Sequence, residues 1–284
     1  MKKPFTIKCP AKVNLSLDVI KKRTDGYHDL QMIMHSIRLF DTLTLTAYPS
    51  ASNEITLSTN LGFLPVDDKN LCAKAARIFL EETKLFAKVN IELKKRIPVG
   101  AGLGGGSSDA AGTLLALNHL MGEPLSKERL ASLSKSVGAD VPFFIYGGCM
   151  LAEGIGEILT PLPTLKDKTF VIAKPKYGIS TPFVYKNLVL DENTPHPDTK
   201  KVIDALKRND VKLLGEYAGN VLETVVTKNY PEIEQYKSIM NSSGAAYSLM
   251  SGSGSAVFGV FEDQKDAELA KEKLKELTKQ VYIA

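Results

Sequence analysis

From residue 7 to residue 19 the chain alternates: Ile7, Cys9, Ala11, Val13, Leu15, Leu17 and Val19 are apolar, and Lys8, Pro10, Lys12, Asn14, Ser16 and Asp18 are not. A period of two marks a half-buried strand, and it places Lys12 and Asn14 on the polar face. The polar segment Lys21-Lys22-Arg23-Thr24-Asp25-Gly26-Tyr27-His28 follows, with Asp25-Gly26 as a hairpin-type turn. Alternation resumes at Ile37, Leu39, Asp41, Leu43 and Leu45, and Glu54-Ile55-Thr56-Leu57 reads as a further strand. Residues 1–60 are therefore expected to be rich in β-structure.

The period lengthens over residues 70–83, where Leu71, Ala75, Ile78 and Phe79 share a helical face, and Asn90-Ile91-Glu92-Leu93 then reads as a strand. Helices are expected over 109–121, stopped by Gly122, and over 126–137, stopped by Gly138. Thr169-Phe170-Val171-Ile172-Ala173 is a short strand of the buried type. Residues 182–243 are mostly helical with charged faces. Strand, Gly/Ser loop and strand follow over 245–261, then an amphipathic helix over 263–280 and a closing strand at Val281-Tyr282-Ile283. The Pro-marked stretch Thr160-Pro161-Leu162-Pro163 is the candidate seam, giving an α+β protein with domains over 1–160 and 161–284.

Length agrees, since 284 residues are about twice the ~150-residue prior for one domain. With 44% hydrophobic and 24% charged residues the composition is ordinarily globular and excludes wholesale disorder. No run approaches the ~18 apolar residues of a membrane helix. The opening Met1-Lys2-Lys3-Pro4-Phe5-Thr6-Ile7-Lys8 is positive but lacks the apolar stretch of a secretory leader. A cytoplasmic protein without a membrane partner is expected. Cys9, Cys72 and Cys149 are odd in number and far apart, which implies neither a disulfide framework nor a zinc site, so they read as core fillers. The net charge of +4 is mild, and Lys94-Lys95-Arg96 reads as a solvated strand end. A nucleic-acid binder calls for a basic stripe, whereas a small anionic substrate fits this balance equally well.

Candidate chemistry concentrates at Pro98-Val99-Gly100-Ala101-Gly102-Leu103-Gly104-Gly105-Gly106-Ser107-Ser108, where five of the seven residues from Gly100 to Gly106 are glycine. Glycines allow close backbone approach, and the run leads into a helix start whose unpaired N–H groups and positive dipole end make an anion seat. Ser107 and Ser108 fall at the expected cap, where a hydroxyl accepts an N–H, bonds a phosphate oxygen or ligates Mg²⁺. Gly100, Gly102 and Gly105 match the dinucleotide fingerprint as a string. The preceding strand, however, carries Glu92, Lys94, Lys95 and Arg96, and no acid-ended strand follows about 20 residues on. A P-loop needs Gly-Lys-Ser or Gly-Lys-Thr, and no lysine lies between Arg96 and Lys127. A phosphate cradle of another kind and a packed glycine turn remain.

The run resembles the second motif of the GHMP kinases, small-molecule kinases whose Gly/Ser loop wraps the ATP phosphates. Its extra glycines, together with Pro10-Ala11-Lys12-Val13-Asn14-Leu15, Asp25-Gly26-Tyr27-His28 and Gly138-Ala139-Asp140-Val141-Pro142-Phe143, resemble the subgroup acting on a cytidine diphosphate-linked methylerythritol. Met250-Ser251-Gly252-Ser253-Gly254-Ser255 is similar to the third superfamily motif. The resemblance implies a two-domain GHMP kinase fold, with an N-terminal domain like the second domain of ribosomal protein S5 and a ferredoxin-like C-terminal domain. It implies phosphorylation by ATP, with Mg²⁺, of the 2-hydroxyl of 4-diphosphocytidyl-2-C-methyl-D-erythritol in the non-mevalonate route to isoprenoid precursors.

By the same resemblance Lys12 lies beside the reacting hydroxyl, Asn14 contacts the substrate, and Asp140 is the catalytic acid residue, as a base or as an orienting group. Taken alone, Lys12 and Asn14 read as a solvent-facing pair and Asp140 as a turn or capping aspartate. Tyr27 and His28 read either as a hairpin cover or as a cytosine site. Tyr185 supplies the second aromatic face, with Phe183 competing for the role, and Gly252 and Gly254 keep their loop close to the substrate or phosphates. His35, His119 and His196 read as surface or core residues. Homoserine, mevalonate or sugar kinases are the rivals within the superfamily, and a non-catalytic RNA-binding module is the rival outside it. A monomer or weak homodimer is expected.

Overall fold

A computed structural model describes residues 3–284; Met1 and Lys2, part of the charged opening, lie outside the described residues. The chain divides into two compact units. Unit one holds the residues up to Ala11 with Phe40–Ile97 and Gly104–Gly147, and unit two holds Lys12–Leu39, Pro98–Leu103 and Gly148–Ala284.

Strands β1 (Phe5–Lys22) and β2 (His28–Pro49) pair and contribute residues to both units. Residues 23–27 turn the chain between them, with Gly26 at φ +88° and the Arg23 N–H donating to the Tyr27 carbonyl, as the Asp25-Gly26 pair leads one to expect. Unit one continues with β3 (Glu54–Thr59), α1 (Leu71–Thr83), β4 (Ala87–Lys94), α2 (Gly105–Leu120), α3 (Lys127–Ser134) and α4 (Val141–Tyr146). β4 shows why its sequence makes a half-buried strand. Ala87, Val89, Ile91 and Leu93 are buried while Lys88, Glu92 and Lys94 are exposed, and antiparallel pairing sets Leu93 opposite Leu43 and Ile91 opposite Leu45 of β2. β3 joins β4 in parallel, giving the order β3-β4-β2. α1 begins where expected, because the Asn70 side chain accepts from the Cys72 N–H.

α2 begins four residues before the expected 109. Gly104, at φ +69°, turns the chain and its carbonyl accepts from the Ser108 N–H, so the backbone makes the cap and Gly105 to Ser108 are the first helical turn. Helix propensity alone argues against two consecutive glycines there. Further along, Gly112 lets α2 approach β1 closely: a Cβ there would stand 2.4 Å from the Cys9 sulfur.

In unit two, β5 (Cys149–Gly154) pairs antiparallel with residues 30–35 of β2, and β6 (Ile158–Leu162) pairs with β5. Thr160, Pro161 and Leu162 of the Pro-marked stretch are thus strand residues, with Pro161 on an edge where its missing N–H costs no ladder bond. The rest is β7 (Thr169–Lys174), α5 (Thr181–Lys186), α6 (Thr199–Lys207), α7 (Val211–Tyr217), α8 (Glu223–Asn229), α9 (Glu232–Ser242), β8 (Tyr247–Met250), β9 (Val257–Phe261), α10 (Gln264–Lys275) and β10 (Gln280–Ile283). The last four strands form an antiparallel sheet in the order β10-β7-β9-β8, against which α9 and α10 pack. Strand, helix, two strands, helix, strand in that spatial order is the ferredoxin-like arrangement, here with α5 to α8 inserted in the first crossover. Phe170, Phe258, Phe261, Ile233, Met240 and Leu274 are buried in this layer pair.

Candidate active site

Residues 11–19 of β1 are buried without alternation. Lys12, Asn14, Ser16 and Asp18, expected on a solvent face, are each no more than 5% exposed. The pattern of two found the strand, but a second layer covers its polar side. In unit two the Lys12 N–H donates to the Leu103 carbonyl at 3.0 Å. The Lys12 ammonium donates to Asn14 Oδ1 at 2.6 Å, and the Asn14 amide faces the Met32 sulfur at 3.2 Å. A buried ammonium is costly unless its hydrogen bonds are made, so this side chain is fixed.

Residues 98–103 and 250–256 meet the same patch. The Ser251 hydroxyl donates to the Gly102 carbonyl at 2.9 Å, and the Ala256 N–H donates to the Ala101 carbonyl at 3.1 Å. Gly102 has φ +74°, and a Cβ on it would stand 2.0 Å from the Ser251 carbonyl oxygen, so only glycine allows the two loops to touch. A Cβ on Gly252 would lie 3.5 Å from Asn14 Oδ1. Lys12, Asn14, Gly102 and Gly252 are thus one cluster. Of the rest of the run, Gly100 has φ +64° with open space around it and Val99 is exposed, while Gly254 has φ +89° against the Met250 sulfur.

In unit one, Gly104 leads into the first turn of α2, whose N–H groups with the helix dipole form an anion seat. Ser107 and Ser108 lie within that turn rather than at the cap. Ser108 is buried with no partner for its hydroxyl, and the Ser107 Oγ lies 4.0 Å from where a Cβ on Gly138 would stand, which brings the turn beside Gly138-Ala139-Asp140. Asp140 occupies the N-cap position of α4, yet its carboxylate makes no capping bond to that helix. Capping therefore does not account for it.

The same turn is anchored from below by a group that the sequence concealed. Lys95, expected as a solvated strand end, has a side chain only 5% exposed and pairs with both Asp41 and Asp109, the latter at 2.6 Å. Asp41 also accepts the N–H groups of Arg96 and Ile97. Burial, with the Asp41 charge nearby, pushes the Asp109 carboxyl up to about 8, so the cluster around Lys95 keeps a proton to higher pH than a free carboxylate would.

His28 and Tyr185 come together, ring centroids 5.2 Å apart at 37°. His28 is buried, which lowers its pKa, with the charge of Lys22 acting in the same direction. Its imidazole is therefore neutral at pH 7 and carries one donor and one acceptor. Tyr27 is 61% exposed on the turn and stacks on no ring among the described residues. Phe183 lines a separate cleft with Asn187, Val189 and Asp191. His196 pairs with buried Asp18 at 2.7 Å, His35 is buried, and His119 lies beside Phe5. The three cysteines are buried and free, and their thiols are pushed up by burial. Among the described residues no cluster of three His, Cys, Asp or Glu could hold a metal, and no helix is long and apolar enough to cross a membrane.

Fold and motifs together define a GHMP kinase: residues 70–148 match the GHMP kinases N terminal domain and residues 202–280 the GHMP kinases C terminal. The chain is 46% identical over 266 residues to the 4-diphosphocytidyl-2-C-methyl-D-erythritol kinase of Lachnoclostridium phytofermentans, covering 94% of this chain and 91% of that one. It is 44% identical over 273 residues to that of Clostridium novyi, covering 96% of each. A crystal structure of a 4-(cytidine 5'-diphospho)-2C-methyl-D-erythritol kinase superposes with TM-score 0.82 at 35% identity, covering 98% of both chains. A homoserine kinase from Cytophaga hutchinsonii superposes at 0.79 with 21% identity over 100% of this chain and 95% of that one, a likeness of fold alone. The chain belongs to the 4-diphosphocytidyl-2-C-methyl-D-erythritol kinase family.

Proposed function

We propose that this chain transfers the γ-phosphoryl group of ATP to the 2-hydroxyl of 4-diphosphocytidyl-2-C-methyl-D-erythritol, in the methylerythritol phosphate route to isoprenoid precursors. The observation that carries the reading is the end-to-end likeness to kinases named for that acceptor, at 46% and 44% identity. The buried Lys12–Asn14 pair supports it, because it fixes a cation in place for an acceptor oxygen on which negative charge develops. The Asp140 carboxylate orients the hydroxyl and takes its proton as the phosphoryl group moves. A loose transition state asks little of that base, so positioning is its larger contribution.

Residues 98–108 hold the triphosphate: the first turn of α2 offers N–H groups to its oxygens, and the glycines let it come close. Mg²⁺ would neutralise charge on the β- and γ-oxygens. The Ser107 hydroxyl and the Asp140 carboxylate are hard oxygen donors in one unit, which suits an ion that arrives with the nucleotide and keeps phosphate and water ligands. Cytosine lies against Tyr185, with Tyr27 closing over it and neutral His28 reading the base edge. Residues 1–160 carry the nucleotide loop together with Lys12, Asn14, Tyr27, His28 and Asp140, and residues 161–284 supply Tyr185, Gly252 and Gly254. The enzyme is cytoplasmic, a monomer or weak dimer, with no nucleic-acid or membrane partner.

The test is acceptor-dependent ADP release by wild type, Asp140→Asn and Lys12→Ala. Wild type turns over, and Asp140→Asn loses about 10²-fold or more in kcat with an unchanged melting temperature. A folded Asp140→Asn enzyme retaining more than about a tenth of kcat would remove Asp140 from the chemistry.

A further inference from the structure

Two side chains at the start of α8, outside every motif described above, hold the loop that carries Gly252. Asn220 is 7% exposed, and its amide nitrogen donates to the carbonyls of Met250 and Gly252, both at 2.8 Å, while its Oδ1 accepts the Leu222 N–H at 3.0 Å. Glu223 accepts the Met250 N–H at 2.6 Å on one oxygen and pairs with Lys237 at 2.6 Å through the other. The backbone flanking Asn220 is bonded to β1: the Leu17 N–H donates to the Gly219 carbonyl at 2.8 Å and the Val221 N–H to the Leu17 carbonyl at 3.0 Å. β1 is the strand that carries Lys12 and Asn14. A short hydrogen-bonded path therefore runs from that strand through Asn220 to Gly252, where a Cβ would lie 3.5 Å from Asn14 Oδ1.

We infer that Asn220 and Glu223 are positioning residues that set the Gly252 segment against the Lys12–Asn14 pair and so fix the acceptor hydroxyl in line with the phosphoryl group. This rests on the proposed function of the site. Only an asparagine meets the demand at 220. Two donors must face two carbonyls while one acceptor faces an N–H, and serine or threonine has a single donor while glutamine is one methylene longer. Aspartate keeps the acceptor for Leu222, and so the start of α8, but turns a carboxylate oxygen toward two carbonyl oxygens. Asn220→Asp thus separates a merely structural capping role from the clamp.

The test measures kcat, both KM values and the melting temperature for wild type, Asn220→Asp, Glu223→Gln and Glu223→Ala, with ATP and 4-diphosphocytidyl-2-C-methyl-D-erythritol. Asn220→Asp is expected to lose roughly 10- to 100-fold in kcat, the scale of an ångström-sized misplacement. Its KM values should stay within about threefold, because the anion seat and the His28–Tyr185 pair are untouched. Glu223→Gln keeps the acceptor for Met250 and stays within about threefold in kcat, whereas Glu223→Ala falls with Asn220→Asp. If Asn220→Asp fails to fold, the contrast between the two Glu223 variants decides. A folded Asn220→Asp enzyme with wild-type kcat, or Glu223→Gln and Glu223→Ala losing activity equally, overturns the inference alone. Wild type failing to phosphorylate the acceptor overturns the proposed function and the inference with it.

Discussion

Replacing Asp109 by asparagine should make the protein more stable than wild type at pH 7 and remove part of its pH dependence. Asp109 lies in the first turns of α2 beside Lys95, with its second oxygen buried and without a hydrogen-bond partner. Its carboxyl is raised from an ordinary 3.8 to about 8, first by burial and then by the Asp41 charge, which outweigh the opposing pull of Lys95. The folded protein therefore binds this proton more tightly than the unfolded chain does. The associated stability is complete below about pH 4 and is lost as pH rises toward 8, with a slope of one proton, about 1.4 kcal/mol per pH unit. Between pH 5.5 and 7.5 the wild type should lose roughly 2.5 kcal/mol relative to Asp109→Asn, whose neutral amide mimics the protonated acid. Lys95→Met should behave differently, because it leaves the Asp41 charge buried without its cation, at a cost of about 3–5 kcal/mol. Urea denaturation of the three proteins at pH 5.5, 6.5 and 7.5 measures this, and taking differences cancels the other titrating groups. Parallel curves for wild type and Asp109→Asn, or a mild Lys95→Met, would refute a cluster that holds one proton at neutral pH.

Gly102→Ala forces a Cβ to within 2.0 Å of the Ser251 oxygen and separates the two loops. The loss of the Ser251–Gly102 and Ala256–Ala101 bonds at ~1 kcal/mol each, with ~1–2 for a left-handed alanine, gives a melting point several degrees lower and a raised KM for ATP; a thermal melt and kinetics check both. Tyr185→Ala should raise the acceptor KM by roughly 5- to 150-fold with ATP unaffected, the worth of one base–aromatic stack, and an effect on ATP instead would misplace the cytosine site. Tyr27, exposed on its turn, closes on the bound base, so Tyr27→Ala should raise the acceptor KM by a comparable factor, and an unchanged acceptor KM would remove Tyr27 from the cytosine site.

The sequence pattern located most elements because period two and period 3.6 report local burial, as in β4 and α1. It failed where burial is set by distant chain. β1 alternates in polarity yet is buried on both faces over residues 11–19, since Met32, Leu103 and Gly252 close over its polar side. Lys95 sits in a basic string, and nothing local shows that its partner Asp41 lies 54 residues earlier. α2 starts at Gly105 against propensity, because a left-handed Gly104 makes the cap from backbone alone. Within the candidate site, Lys12, Asn14, Gly102 and Gly252 were legible as motif positions, and the structure of unit two brings them together. Asn220 and Glu223 carry no such signature. Their roles arise from hydrogen bonds to Met250 and Gly252 some thirty positions on, the Asn220–Met250 bond spanning 30 residues.

Acceptor choice is read by offering the purified chain ATP with 4-diphosphocytidyl-2-C-methyl-D-erythritol, its uridine analogue, mevalonate or homoserine, and following the products by phosphorus NMR. Stoichiometric ADP with a new phosphomonoester on the 2-hydroxyl of the cytidine substrate, weaker turnover of the uridine analogue and none of the other two is the predicted result. Equal turnover of the cytidine and uridine acceptors, or preferential phosphorylation of homoserine or mevalonate, would contradict it.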